Sequence, residues 1–292
     1  MILSMMIFGT ISIFVRYLPL SSPEIALYRS VIAIFPIGIF LLLNGRKKQN
    51  RATSNVLKKK EILLLIASGA ALGINWIFLF EAYRYTSIST ATLCYYVAPI
   101  IVTAISSLLF HERLSKFQWF CFLMSALGFF SLTGFSDWQT NGKGIAFGLS
   151  AAVFYALVIL LNKGISGVTG LQKTFLQLLA AATVLLPYII FFGEFQFHLL
   201  DFPSWMVLLT MGLFHTGVAY CLYFTAIGNL KGQQIAILSY IDPLTAVLIS
   251  VFLLSEKMTV GQLAGGILIL IFSLLNEWTM QRSETLFKIQ ND

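Results

Sequence analysis

Ten apolar segments follow one another along this chain with little between them, and that feature limits the fold more than any other. They run over 2–18, 23–44, 61–83, 87–110, 116–134, 143–162, 172–192, 203–227, 232–254 and 260–280. A bilayer-spanning helix needs about 20 mostly apolar residues. Lipid offers no hydrogen bonds, so a spanning segment must satisfy its backbone internally. These segments are too long for strands and show no period-2 alternation, which leaves helices. Composition agrees: 58% of the 292 residues are hydrophobic, 11% are charged, and mean hydropathy is +0.85. Soluble domains lie near 45–50% apolar and about 25% charged. The expected class is therefore an all-α integral membrane protein with ten transmembrane helices in one bundle. Pro36 and Pro187 fall inside the second and seventh segments, where membrane helices tolerate prolines as kinks.

The formal charge of +7 would suggest nucleic acid in a soluble protein. Here seven basic residues crowd one connection: Arg46, Lys47, Lys48, Arg51, Lys58, Lys59 and Lys60. A basic loop between two apolar segments, without interleaved aromatics, reads as a juxtamembrane cytoplasmic loop. Placing the N-terminus inside puts fourteen Lys and Arg on the cytoplasmic side and five on the outer side. Both termini are thus expected in the cytoplasm of a cell-membrane protein, with 281–292 as a cytoplasmic tail. Apolar sequence begins almost at Met1 without a signal-peptide pattern, so the first helix is expected to be retained. It is short, and the true start is left open upstream.

The sequence also matches itself. Shifted by 144 residues, Gly73 meets Gly217, Phe80 meets Phe224, Tyr96 meets Tyr240 and Pro99 meets Pro243. Ser106 meets Ser250, Glu112 meets Glu256 and Gln118 meets Gln262 in the same register. Apolar bias alone would not align Tyr, Pro, Glu and Gln. Two five-helix repeats, 1–135 and 142–280, are expected. An odd helix number per repeat turns the second upside down, an inverted architecture common among secondary transporters.

Several short stretches lie in order along both halves. They are Phe8-Gly9, Ser22-Pro23-Glu24, Arg29, Glu81 to Ser87, Ala98-Pro99 and His111 to Ser115, then Ala226-Ile227, Asp242-Pro243 and Ser255 to Thr259. In these the chain resembles the drug/metabolite transporter superfamily, in particular its EamA-like ten-helix bacterial members. The resemblance implies alternating access around a central cavity and often the export of metabolites or amino acids. The first helix departs from the usual pattern, with Arg16 after a short apolar core.

An ionisable group at bilayer depth costs about 2.5–3.5 kcal/mol on insertion scales and asks for a reason. Asp242 and His215 both fall near the middle of their segments, and their repeat partners are Ala98 and Ala71. The fold itself therefore does not require either group, which makes both candidates for substrate contact or proton relay; a structural hydrogen bond is the alternative. Tyr96 and Tyr240 each precede a proline by three residues. A proline removes a backbone donor and opens the helix locally, so a freed carbonyl can face a polar cavity; two symmetric packing residues with hydroxyls satisfied by backbone are the alternative. Asn75, Trp76, Tyr95, Tyr220 and Gln234 complete the candidate binding set. Arg29, Glu81 and Arg84 read as structural or gating groups near helix ends. Ser115 and Thr259 read as helix N-caps in two matched turns.

Enzymatic and metal chemistry find no constellation. His111, His198 and His215 are expected inside, outside and mid-membrane, so they cannot share a metal. Cys94, Cys121 and Cys221 lie in apolar runs without ligand spacing. Gly167 to Thr174 lacks the adjacent Gly-Lys-Ser/Thr end of a phosphate loop. No cofactor is expected. The leading reading is a secondary transporter for a small amphipathic solute, as monomer or homodimer. Gly261 and Gly265 form a small-xxx-small pair for close helix packing within the monomer or between two. A non-transporting membrane scaffold or sensor subunit is the reading from a different class.

Overall fold

In a computed structural model of the chain, residues 1–48, 58–110, 115–133, 135–168, 170–192, 195–196, 200–227 and 238–291 are described. Regular structure among them is entirely helical. The elements are α1 (Ile2–Gly9), α2 (Ile11–Tyr17), α3 (Ser22–Lys48), α4 (Lys59–Tyr85), α5 (Ile88–Tyr95) and α6 (Ala98–Phe110). Then come α7 (Lys116–Thr133), α8 (Phe135–Lys163), α9 (Gly170–Phe192), α10 (Phe202–Thr210), a π-helical turn (Met211–Val218) and α11 (Ala219–Ile227). The chain closes with α12 (Ile241–Leu248), a second π-helical turn (Ile249–Leu253) and α13 (Val260–Asn291). Because α13 runs on to Asn291, the expected tail after residue 280 is a continuation of the helix.

Among the described residues, five helices are clearly long and apolar enough to cross a membrane: Ser22–Leu43, Lys59–Tyr85, Asn141–Asn162, Gly170–Phe191 and Phe202–Ala226. Shorter apolar helices cover Ile2–Tyr17, Ile88–Val102, Lys116–Leu132, Ile241–Leu253 and Val260–Asn276. Large apolar side chains such as Phe35, Phe130, Phe191 and Phe252 point outward and are exposed. A soluble monomer rarely carries so extensive an apolar surface, whereas lipid covers it.

The interruptions have local causes. Pro99 has no N–H to donate to the Tyr95 carbonyl, and α5 ends there. The Val97 amide turns back to the Cys94 carbonyl at 3.2 Å. Tyr96 and Tyr240 take nearly the same backbone conformation, φ −74°, ψ 6° and φ −74°, ψ −6°, each just ahead of its proline. Their helices therefore break at matching places. The freed carbonyl of Tyr96 accepts from Ser273 Oγ at 3.5 Å.

The two expected caps are also alike. Ser115 Oγ accepts from the Gln118 amide at 3.2 Å, and Gln118 Oε1 accepts from the Ser115 amide at 2.8 Å. Thr259 and Gln262 repeat the exchange at 3.2 and 2.9 Å. Each pair satisfies amide donors that a helix start leaves open.

Glycines let the helices approach. A Cβ on Gly69 would lie 2.6 Å from Ala180 Cβ, and one on Gly128 would lie 2.8 Å from Leu268 Cβ. Gly265 abuts the backbone of Gly128 and Leu132, so the small-residue pair on α13 is used against α7 within the chain.

Candidate functional site

The helices enclose a cavity of about 700 Å³ at the centre of the bundle. Walls come from α1, α2, α3, α4, α5, α6, α8, α9, α11 and α12, so residues distant in sequence converge there. Seven tyrosines line it: Tyr83, Tyr95, Tyr96, Tyr155, Tyr220, Tyr223 and Tyr240. With Phe8, Trp76, Phe80 and Phe224 they make a wall that is apolar in body and dotted with hydroxyls, suited to an amphipathic solute. Among the described residues, its charged lining residues are Arg29 and Asp242.

Asp242 is the second residue of α12 and sits in its first turn, where the helix dipole favours a carboxylate. Its Oδ2 accepts from Tyr96 Oη at 2.8 Å. The Tyr96 ring lies 6.1 Å from that of Tyr240 and 5.8 Å from that of Tyr95, which in turn lies 5.2 Å from Tyr155. Gly9 packs directly on this element: a Cβ there would come within 2.6 Å of the Asp242 carbonyl and 2.7 Å of Thr245 Cβ. The opened helix before Pro243, the capping tyrosine and the close approach of α1 together place the carboxylate at the cavity wall.

Arg29 occupies a different place from the one its sequence position implied. It lies seven residues along α3, a rise of about 10 Å, and it is 4% exposed. Its Nε donates to Thr216 Oγ1 at 2.6 Å, and its guanidinium stacks over Trp76 at 4.2 Å. Thr216 Oγ1 in turn donates to the Met211 carbonyl at 3.0 Å, so the π-helical turn orients the arginine's partner. Arg84 stays near the helix end and donates to the Leu20 carbonyl. Arg29 is thus a cavity group rather than a member of an end cluster with Glu81 and Arg84.

Among the sequence candidates, Trp76, Tyr95, Tyr96, Tyr220, Tyr240 and Asp242 line the cavity. Two others are turned away from it. Asn75 is fully buried and donates through Nδ2 to the Ala151 carbonyl at 2.6 Å, tying α4 to α8. His215 contacts Thr10 Oγ1 through Nε2 at 2.8 Å and packs against Phe14, 4.5 Å between ring centroids. It therefore joins the π-helical turn to the interruption between α1 and α2. Gln234 lies outside the described residues. Arg29, Tyr83, Tyr155 and the linked pair Gln177–Asn162 (2.9 Å) were not among the candidates. The signal for Arg29 was available, because a basic residue seven positions inside an apolar segment is itself unusual.

A second charged cluster lies beyond Tyr83, which lines both the central cavity and a separate pocket of about 560 Å³ beside Arg16 and Arg84. Arg16 Nη1 pairs with Glu256 Oε1 at 2.8 Å. The same guanidinium donates to the carbonyls of Tyr83 at 3.1 Å and Thr86 at 3.0 Å. Glu256 accepts from the Ile88 amide at 2.9 Å, capping α5, and from Ser250 Oγ. Ser255 enables this turn by taking a left-handed conformation, φ 53°. The Glu256 amide then reaches back to the Ser250 carbonyl at 3.0 Å, which closes the end of the second π-helical turn.

A helical membrane bundle around a substrate-sized cavity is the class of protein that these features define. The model of the EamA-like transporter family matches residues 1–134 and again 142–277, and the chain belongs to that family, within the drug/metabolite transporter superfamily. It is 32% identical over 278 residues to the uncharacterized transporter YxxF of Bacillus subtilis, covering 92% of this chain and 85% of that one. An uncharacterized transporter of Archaeoglobus fulgidus is 29% identical, with 92% of each chain covered. Protein RarD of Salmonella typhi is 26% identical over 146 residues, 49% of this chain and 47% of its own. A solved crystal structure shares the fold at a TM-score of 0.63, 18% identity and 95% coverage of both chains.

Proposed function

We propose that this chain is a secondary transporter that exports a small amphipathic metabolite, an amino acid or related solute, across the cytoplasmic membrane by alternating access. The central cavity carries the reading: about 700 Å³ of aromatic, hydroxyl-dotted space holding Arg29 and Asp242 within a membrane bundle. Such a site binds a solute that is partly apolar and partly polar. Asp242, Tyr96, Tyr240, Tyr95, Trp76 and Tyr220 contact the solute. Asp242 is also the group that couples transport to protons. His215 and Asn75 act as positioning residues, holding helices at the cavity's edge.

Ten spans in two inverted halves are part of the same proposal. The 144-residue register, the matched breaks at Tyr96 and Tyr240, the matched caps and the double family match all support it. With both termini in the cytoplasm, the Arg16–Glu256 cluster forms the outer closure, and Tyr83 divides cavity from vestibule.

Proteoliposomes carrying the purified chain test the reading. Loaded with a bacterial metabolite extract, they should release particular solutes faster than empty liposomes when a pH gradient is imposed, as followed by mass spectrometry. Identical release profiles with and without the protein, in either gradient direction, would instead favour the scaffold or sensor reading.

A further inference from the structure

Where α4, α8 and α9 meet, three uncharged polar side chains form a short relay. Ser68 Oγ donates its single proton to the Leu65 carbonyl at 2.9 Å. Toward Gln177 it can therefore only accept, and Gln177 Nε2 donates to it at 2.9 Å. The second Nε2 proton goes to Asn162 Oδ1, also at 2.9 Å. These bonds fix which way both amides face. They leave Gln177 Oε1, an acceptor, and Asn162 Nδ2, a donor, each without a partner among the described residues. Both residues line the central cavity, and Gln177 is only 4% exposed. None of the three helices carries Tyr96 or Asp242.

The turn behind the amides is held from below. Glu61 Oε1 accepts from the Ser166 and Gly167 amides, each at 2.9 Å, and from Ser166 Oγ at 2.8 Å. Lys173 Nζ donates to the carbonyls of Asn162 at 3.2 Å and Ile165 at 3.0 Å. The connection from α8 to α9 is thereby fixed, and a supported pair of this kind is what a selective polar contact requires. A buried amide atom without a partner is costly. The pair is completed by a group that carries a donor and an acceptor together. A carboxamide does so on adjacent atoms, its N–H for Gln177 and its C=O for Asn162. A carboxylate would set oxygen against oxygen at Gln177, and an ammonium would leave Asn162 unmatched. We propose that Gln177 and Asn162 form an amide-recognising subsite, so that the cavity takes solutes bearing an uncharged carboxamide. The proposal rests on the reading of the cavity as a solute site and adds to it a functional group of the solute.

Three uncharged probes of one shape isolate the contact: nicotinamide (donor and acceptor), 3-acetylpyridine (acceptor only) and 3-ethylpyridine (neither). Their affinities are measured by titration calorimetry on the purified full chain in nanodiscs at one pH. The wild type should bind nicotinamide about tenfold tighter than either analogue, since a matched hydrogen bond and an avoided unpaired oxygen carry that much discrimination. Gln177→Met removes the free acceptor and should erase the advantage over 3-acetylpyridine. Asn162→Asp keeps the bond from Gln177 Nε2 but turns the free donor into an acceptor. It should weaken both carbonyl probes several-fold and leave 3-ethylpyridine unmoved, whereas a merely structural role would move all three together. That variant decides the matter if Gln177→Met does not fold. Equal affinities in the wild type, an advantage unmoved by Gln177→Met, a common shift of all three probes in Asn162→Asp, or no binding of any probe would overturn the subsite. Release of extract solutes by the same wild-type protein in proteoliposomes would still leave the transport reading standing.

Discussion

Two regions of this molecule each hold one arginine and one carboxylate, and they use them in opposite ways. Arg16 and Glu256 touch at 2.8 Å, and both are tied to helix ends through Tyr83, Thr86, Ile88 and Ser250. Arg29 and Asp242 share a cavity but not a bond, and each retains hydrogen-bonding capacity toward the enclosed space. In the first region the protein completes its own charges, so they serve architecture. In the second neither charge meets a charged partner among the described residues, which is the arrangement the proposed transport reading assigns to a bound solute. Burial alone would not separate the two, because Arg29 is the more deeply buried arginine.

Removing a charge should therefore have opposite consequences in the two regions. Asp242→Asn should lower transport about tenfold or more, and alter its pH dependence, while leaving thermal stability of the ligand-free protein unchanged or raised. Relief of an unpaired charge in the membrane is the reason. Normal transport with an unaltered pH profile would remove Asp242 from the site. Glu256→Ala should do the reverse. It strands Arg16 and uncaps α5, at a cost of about 2 kcal/mol in stability, read as a lower unfolding temperature. An unaffected unfolding temperature would show that the cluster does not hold the helices.

Smaller changes sharpen the contrast. Tyr96→Phe deletes the hydroxyl on Asp242 and keeps the ring packing, so transport should fall only a few-fold, the worth of about 1 kcal/mol for one hydrogen bond. Asp201 lies outside the spans and caps α10 by accepting from the Ser204 amide at 3.0 Å. Bonding to Ser204 holds its carboxyl below the usual carboxylate value. A depressed value in the folded state contributes stability above the ordinary carboxylate range, lost as pH falls through the folded value. Asp201→Ala should thus slightly lower the unfolding temperature at neutral pH, and the difference should fade in acid without touching transport.

Much of the bundle was legible because it depends on local sequence. Apolar length gave the long helices, the prolines gave the breaks after Tyr95 and at Tyr240, and Ser115 and Thr259 gave the caps. The cavity was legible only in part. Depth along a helix can be counted, but the direction a side chain faces depends on rotation. Asn75 and His215 bond to neighbouring elements and are not among the residues that line the cavity. His215 lies in the π-helical turn Met211–Val218 and meets Thr10 across the bundle, a tertiary contact that depth along a segment does not show. Arg29 shows the converse, since a basic residue near a helix start reads as a gating group, yet it lines the cavity and stacks on Trp76.

A pair of double-mutant cycles, read by thermal unfolding, tests the central contrast most directly. One cycle couples Arg16→Gln with Glu256→Gln, and the other Arg29→Gln with Asp242→Asn. Without ligand, the first should give a coupling energy of about 1 kcal/mol, and the second a value near zero. With a transported solute from the proteoliposome assay bound at saturation, the second coupling should appear. A sizeable coupling between Arg29 and Asp242 in the ligand-free protein would contradict the account, because the two charges would then be completing each other.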